Sequence, residues 1–273
     1  MKLRILTGLP LAFAVVYLIV QEREWVFALA VLVTVEISLH EFFFVSERAG
    51  LRGWAILGYA GGGLLCLSQF AALHRTGFSE SAALVLIVVG VPALGLLLVS
   101  NLKEYFVGLA STLLGIFFVA FTFSWIVPLR FAESGEGRNL VLLLFAVIWS
   151  EDIFAYVVGR FAGRTPLAKR ISPRKTVEGA IAGLVGAVLV ALGFKHWFWQ
   201  TAGQKTVILI AVLIAVAGQA GDLVESALKR AADLKDSGAI LPGHGGMLDR
   251  IDSLLFGIPT VWLVWNLKDF LRR

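Results

Sequence analysis

The sequence predicts an all-α, polytopic integral membrane protein with about nine transmembrane helices. Three observations carry that reading. Of 273 residues, 58% are hydrophobic and only 16% charged, with a mean hydropathy of +0.84. A soluble domain carries roughly 25% charged residues. The apolar residues fall in long runs, and the breaks between them are short and polar: Gln21-Glu22-Arg23-Glu24, Ser46 to Arg52, Arg75 to Glu80, Asn101 to Glu104 and Glu133 to Asn139. A hydrocarbon core of roughly 30 Å needs about 20 apolar residues per helix. On that yardstick the spans run approximately 5–20, 25–45, 53–72, 81–99, 105–128, 139–160, 176–199, 205–228 and 253–271.

The first span follows a short basic head, as a signal peptide does. No small-x-small cleavage site leads into a soluble domain, so it reads as an uncleaved helix. Residues 1–138 form an N-terminal group of helices suited to lipid access or subunit contact. Their glycines permit close helix approach. Cys66 sits in an apolar run and reads as a small buried hydrophobe. Glu36 and Glu41 are acids in an apolar span; Glu41, beside His40 near the span's inner end, reads as a solvated interface position. The tryptophans, including Trp197 and Trp199 at a span end, read as interfacial belts.

The formal charge of +5 is not a nucleic-acid footprint here. In a membrane protein basic residues set topology and meet anionic headgroups. With the N-terminus inside, the larger share of Lys and Arg lies on the inner side, including both long loops of residues 139–273. That half is the expected catalytic region, facing the cytoplasm at the cell (inner) membrane.

Between Trp149 and Gly179, Asp152 and Tyr156 are spaced i,i+4 and share a helix face. A basic loop leads to Ser172-Pro173-Arg174-Lys175-Thr176. Pro173 is a poor helix-interior residue, so the next span begins after it. Lys175-Thr176 is not a P-loop, because the GxxxxGK pattern is absent. Topology accounts for part of the basic charge but not for Asp152, nor for Lys175 at the start of a span.

Asp222, Glu225, Ser226 and Lys229 fall at i, i+3, i+4 and i+7, one stripe on one helix. Two acids three apart in an apolar span are costly unless they bind something. Metal ligation is favoured for Asp222; for Glu225 a salt bridge to Lys229 is the alternative.

The stretch from Ser226 to Asp252 is the one long polar passage. It sets Lys229, Arg230, Lys235 and Arg250 among Asp233, Asp236, Asp249 and Asp252. Its centre is the loop Pro242-Gly243-His244-Gly245-Gly246. Cations suit phosphate oxygens, and close carboxylates suit Mg2+, which bridges one or two of them to substrate phosphates. Glycines let backbone N–H groups approach an anion. Together these point to metal-dependent phosphoryl or nucleotidyl transfer; His244 in such a loop could be a general base, a phosphate donor or a loop-ordering group.

Position by position, these passages resemble the phosphatidate cytidylyltransferases (CDP-diacylglycerol synthases). The likeness runs through Asp152, Ala155-Tyr156, Gly159-Arg160, Ser172-Pro173, Lys175-Thr176 and Glu178-Gly179. It continues through Ser226, Lys229-Arg230, Lys235-Asp236, Gly238, His244-Gly245-Gly246 and Asp249-Arg250-Ile251-Asp252. One departure is Ile153-Phe154, where the family has a hydroxyl residue and then a small one.

The resemblance implies CTP + phosphatidate → CDP-diacylglycerol + pyrophosphate. Asp222, Asp249, Lys175 and Asp252 are the expected catalytic residues. Asp152, Tyr156, Ser172, Thr176, Ser226, Lys229, Arg230, Lys235, Asp236, His244, Gly245, Gly246 and Arg250 are the expected substrate-binding residues. Mg2+ is expected on Asp222, Asp249, Asp252 and Glu225, with a second cation such as K+. The expected partners are CTP, phosphatidate, membrane lipids and a second copy in a homodimer. Asp249→Asn and Lys175→Ala are each expected to abolish turnover with folding intact. A lipid kinase using CTP and a transporter are the alternative readings.

Overall fold

The computed structural model describes the backbone of residues 2–132, 135–240 and 245–271, and side chains from residue 8 to residue 267 within those ranges. Helices occupy every predicted span: α1 Lys2–Val20, α2 Glu24–Arg48, α3 Ala55–Leu73, α4 Glu80–Gly95, α5 Leu102–Arg130, α6 Gly137–Ala162, α7 Val177–Phe198, α8 Gln204–Ala231 and α9 Leu248–Leu271. Among the described residues, six of these (α2, α3, α5, α6, α7 and α8) are long and apolar enough to cross a membrane. Gly8–Val20 and Glu80–Gly95 are shorter apolar helices. The chain is a multi-pass membrane protein. Its fifth helix is wound as a π-helix at Ile116–Phe121. The basic loop after α6 is not irregular: it folds as an antiparallel hairpin of β1 Pro166–Ala168 and β2 Ser172–Thr176.

The chain divides into two compact units, residues 1–131 with 228–251, and residues 132–227 with 252–273. In the first, Val35 and Leu39 of α2, Leu65 of α3, and Ile116 and Val119 of α5 are fully buried. Arg130 ends α5 by donating from Nε to the Ile19 carbonyl at 2.5 Å, tying it to the end of α1. Cys66 is buried, as its apolar setting predicts.

In the second unit α6 and α7 lie against each other, and Leu140, Leu143, Leu144, Ile210, Ile214, Leu255 and Ile258 form the core. Lipid tails are as apolar as leucine, so close packing rather than exclusion of water holds such helices together. Trp197 is exposed, as an interfacial tryptophan is. Trp199 is not: it is buried, its indole N–H points at Glu136 Oε1 (3.4 Å), and its ring lies 6.0 Å from that of Trp265.

Candidate active site

In the second unit α6, the hairpin, α7 and α8 line a cleft of about 460 Å3, a size in the range of small-ligand sites. Asp152, Tyr156, Gly159 and Arg160 reach it from α6, Lys175 and Thr176 from β2, and Asp222 from α8. Local chemistry sets this arrangement. Thr176 caps α7, its Oγ1 accepting from Gly179 N at 3.1 Å, which satisfies a donor that every helix start leaves open. The cap fixes where strand becomes helix, and Lys175 is the residue before it. Glu178 accepts from the backbone N–H groups of Arg164 (3.1 Å) and Thr165 (3.2 Å), closing the base of the hairpin. A Cβ on Gly179 would stand 2.8 Å from the Ala155 carbonyl oxygen. Gly179 thus serves the close approach of α7 to α6.

The Lys175 ammonium donates to Asp222 Oδ2. Ser226 Oγ donates to Asp222 Oδ1 at 3.3 Å, one turn further along α8. The cleft also holds an acid the sequence reading passed over. Glu151 is 4% exposed and accepts from Gln219 Nε2 at 3.0 Å. An acid in an apolar span was the signal that marked it. Asp252 comes from α9. Its carbonyl oxygen would lie 2.5 Å from a Cβ on Gly221, so α9 runs hard against α8 beside Asp222. Glu225 is fully buried on α8. Tyr156 accepts from Arg160 at 2.9 Å. Where the chain departs from the family pattern, Ile153 is exposed and Phe154 lies where a Cβ on Gly186 would collide with its ring. Phe154 therefore occupies the α6–α7 seam.

In the first unit the polar segment 228–251 builds a second cluster. Lys229 Nζ lies 2.6 Å from Asp249 Oδ1, with side chains 12% and 8% exposed. Asp249 Oδ2 accepts from Gly246 N at 2.8 Å and Ser237 N at 3.0 Å. Burial alone would raise this carboxyl, but the Lys229 ammonium and the two N–H donors outweigh it and hold Asp249 below the ordinary carboxylate range. Gly245 has a φ of +79° and a Cβ there would stand 2.8 Å from Asp249 Oδ2, so both its backbone and its bareness are required.

Glu41 corrects the reading from sequence. It is 2% exposed, not a solvated interface residue. Its carboxylate accepts from Ser237 Oγ, Met247 N and Leu248 N. The acid belongs to a bonded polar core that only distant residues complete.

The other predicted residues are placed as follows. Lys235, Asp236 and Arg250 are exposed. Arg230 is exposed and donates to the Leu234 carbonyl at 2.9 Å. Ser172 is half-buried at the start of β2 and does not line the cleft. Pro242, Gly243 and His244 lie outside the described residues.

Among the described residues no three His, Cys, Asp or Glu side chains converge as a ready cage for a metal ion. Mg2+ rarely uses such cages. It keeps several waters and takes one or two carboxylates together with substrate phosphates. The cleft holds the carboxylates of Glu151, Asp152 and Asp222, the donor type that such an ion takes one or two of, with the Lys175 ammonium drawn to Asp222.

A model of the cytidylyltransferase family matches residues 2–268. The chain belongs to that family. A cytidylyltransferase is a nucleotidyltransferase, so the chain is an enzyme of that class. A phosphatidate cytidylyltransferase of Synechocystis sp. is 34% identical over 286 aligned positions, covering 93% of this chain and 92% of that protein. One of Bacillus subtilis is 34% identical over 268 positions, covering 97% of each. One of Staphylococcus saprophyticus is 39% identical over 156 positions, 57% of this chain and 58% of its own. The cleft brings Asp152, Tyr156, Lys175, Thr176 and Asp222 together, with Glu151 and Gln219 added.

Proposed function

We propose that this cytidylyltransferase makes CDP-diacylglycerol and pyrophosphate from CTP and phosphatidate, serving phospholipid synthesis at the cytoplasmic face of the cell membrane. The observation that carries the reading is Lys175 set against Asp222 in a cleft of about 460 Å3. The names of relatives aligned over nearly their whole length support the lipid as acceptor.

In this reading a phosphatidate phosphate oxygen attacks the CTP α-phosphorus in line, the bond to the β-phosphate oxygen breaks, and pyrophosphate leaves with the electron pair. Phosphatidate is already anionic near neutral pH, so no strong base is needed. His244 is a substrate-binding residue in this scheme. Lys175, Arg160 and Arg174 neutralise phosphate charge in the cleft, and Lys229, Arg230 and Arg250 do so on the polar segment. Asp222 and Asp252, with Glu225 nearby in sequence, are the carboxylates assigned to Mg2+ in the second unit, and Asp249 the one in the first. When bound, Mg2+ would act as a Lewis acid on the phosphates. The residues otherwise contribute position and electrostatics, with no covalent enzyme intermediate. A second cation such as K+ and a homodimer belong to the same proposal, checked by cation replacement and by the mass of the detergent-solubilised particle.

The deciding experiment uses purified protein in detergent with phosphatidate, Mg2+ and CTP labelled at the α- or the γ-phosphate. Alpha label in the lipid with pyrophosphate released is the expected result. Gamma label in the lipid would make the chain a lipid kinase and overturn the proposal.

A further inference from the structure

Glu41 lies in the N-terminal half, far in sequence from every residue given a role above. Its carboxylate nevertheless gathers donors from both sides of residues 241–244. Oε2 accepts from Ser237 Oγ at 3.1 Å and from Leu248 N at 2.8 Å, and Oε1 accepts from Met247 N at 3.0 Å. The last two are N–H groups at the very start of α9, where a helix leaves donors open and its dipole favours an anion. Two glycines leave room for the group: a Cβ on Gly238 or on Gly246 would run into the Glu41 carboxylate.

The same backbone serves Asp249. Ser237 gives its hydroxyl to Glu41 and its N–H to Asp249, and Gly246, bare against Glu41, donates its N–H to Asp249 at 2.8 Å. We propose that Glu41 is a positioning residue: a buried carboxylate on α2 that orders the chain at Ser237 and Gly238 and again from Gly246 to Leu248, and thereby aims Asp249 and its partner Lys229. What that segment does in turnover rests on the proposed function. Its ordering by Glu41 rests on the geometry alone.

All the groups that meet Glu41 here are donors. A carboxylate accepts from each of them, whereas an amide of the same shape has one acceptor and turns a second donor toward them. Glu41→Gln therefore preserves volume and breaks the arrangement. Gly238→Ala attacks it from the opposite side by crowding the carboxylate. Glu41→Asp keeps the charge and shortens the reach.

The test compares these three variants with wild type in detergent, well below their unfolding temperatures. Tryptic cleavage at Lys235 reads the order of the segment. The kcat and the two KM values, taken per folded molecule, read its effect on turnover. Glu41→Gln and Gly238→Ala are expected to be cut about tenfold faster and to lose at least about tenfold in kcat, with the KM for phosphatidate within about twofold and Glu41→Asp recovering part of both. Wild-type cleavage in Glu41→Gln overturns the proposal. So does a lowered Tm with kcat per folded molecule unchanged, which marks a merely structural carboxylate. If wild type itself transfers no cytidylyl group, the proposed function fails, and the cleavage comparison alone decides the role of Glu41.

Discussion

Lys229 Nζ sits 2.6 Å from Asp249 Oδ1, and both side chains are nearly closed to solvent. A buried pair of this kind gives little net stability, but removing one partner strands the other charge. Asp249 also anchors the N–H groups of Ser237 and Gly246. Asp249→Asn is therefore expected to lower stability by about 3 kcal/mol as well as to abolish turnover. This revises the expectation from sequence that folding would stay intact. Thermal unfolding in detergent, run beside the activity assay, checks both parts.

The same carboxyl sets a pH dependence with a definite sign. Its folded pKa is depressed, so its contribution is fully present above the unfolded value of about 3.9 and is lost as pH falls through the folded value. The stability gap between wild type and Asp249→Asn should be level from about pH 7 to pH 5 and narrow below about pH 4. A gap that is unchanged at about pH 3 would contradict the assignment.

Lys175 is the cation drawn to Asp222, and its side chain is 31% exposed. Lys175→Ala should leave the fold intact and lower kcat about 100- to 1000-fold, as expected for losing one preorganised charge at a phosphate. Lys175→Arg should recover only part, because a planar guanidinium does not replace a compact ammonium. Steady-state kinetics with circular dichroism on the same preparations makes the comparison.

Gly179 and Gly90 separate packing from composition. A Cβ on Gly179 meets the Ala155 carbonyl at 2.8 Å, whereas one on Gly90 meets nothing within 4 Å. Gly179→Ala should cost about 1–3 kcal/mol by forcing α7 off α6 and should narrow the cleft, raising the KM for CTP. Gly90→Ala should be neutral or slightly stabilising. Unfolding temperatures of the pair, read together, test the α6–α7 contact.

Much of the molecule was legible from local signals. Span positions follow from runs of apolar residues matched to bilayer thickness, and helices fill each predicted stretch. The i,i+4 spacing that put Asp152 and Tyr156 on one face, and the Pro173 that put Lys175 at the start of a helix, are likewise properties of a few neighbouring residues. The cleft contains Asp152, Tyr156 and Lys175. The hairpin Pro166–Thr176 was missed because its strands are only three and five residues long and its charge resembled plain topology.

By itself the sequence determined the class of protein, the order of its helices and the residues that bear charge in its C-terminal half. It did so because length, spacing and hydropathy act over a turn or a span. Only the tertiary structure decided which buried polar groups meet. Glu41 reads as an interface residue until Met247 and Leu248, 206 and 207 positions away, bring it their N–H groups. Glu151 needs Gln219, and Trp199 needs Glu136 and Trp265, before either has a reason to be buried. An apolar surround penalises any polar group left without a partner. The identity of that partner is a property of the packing, and no local pattern carries it.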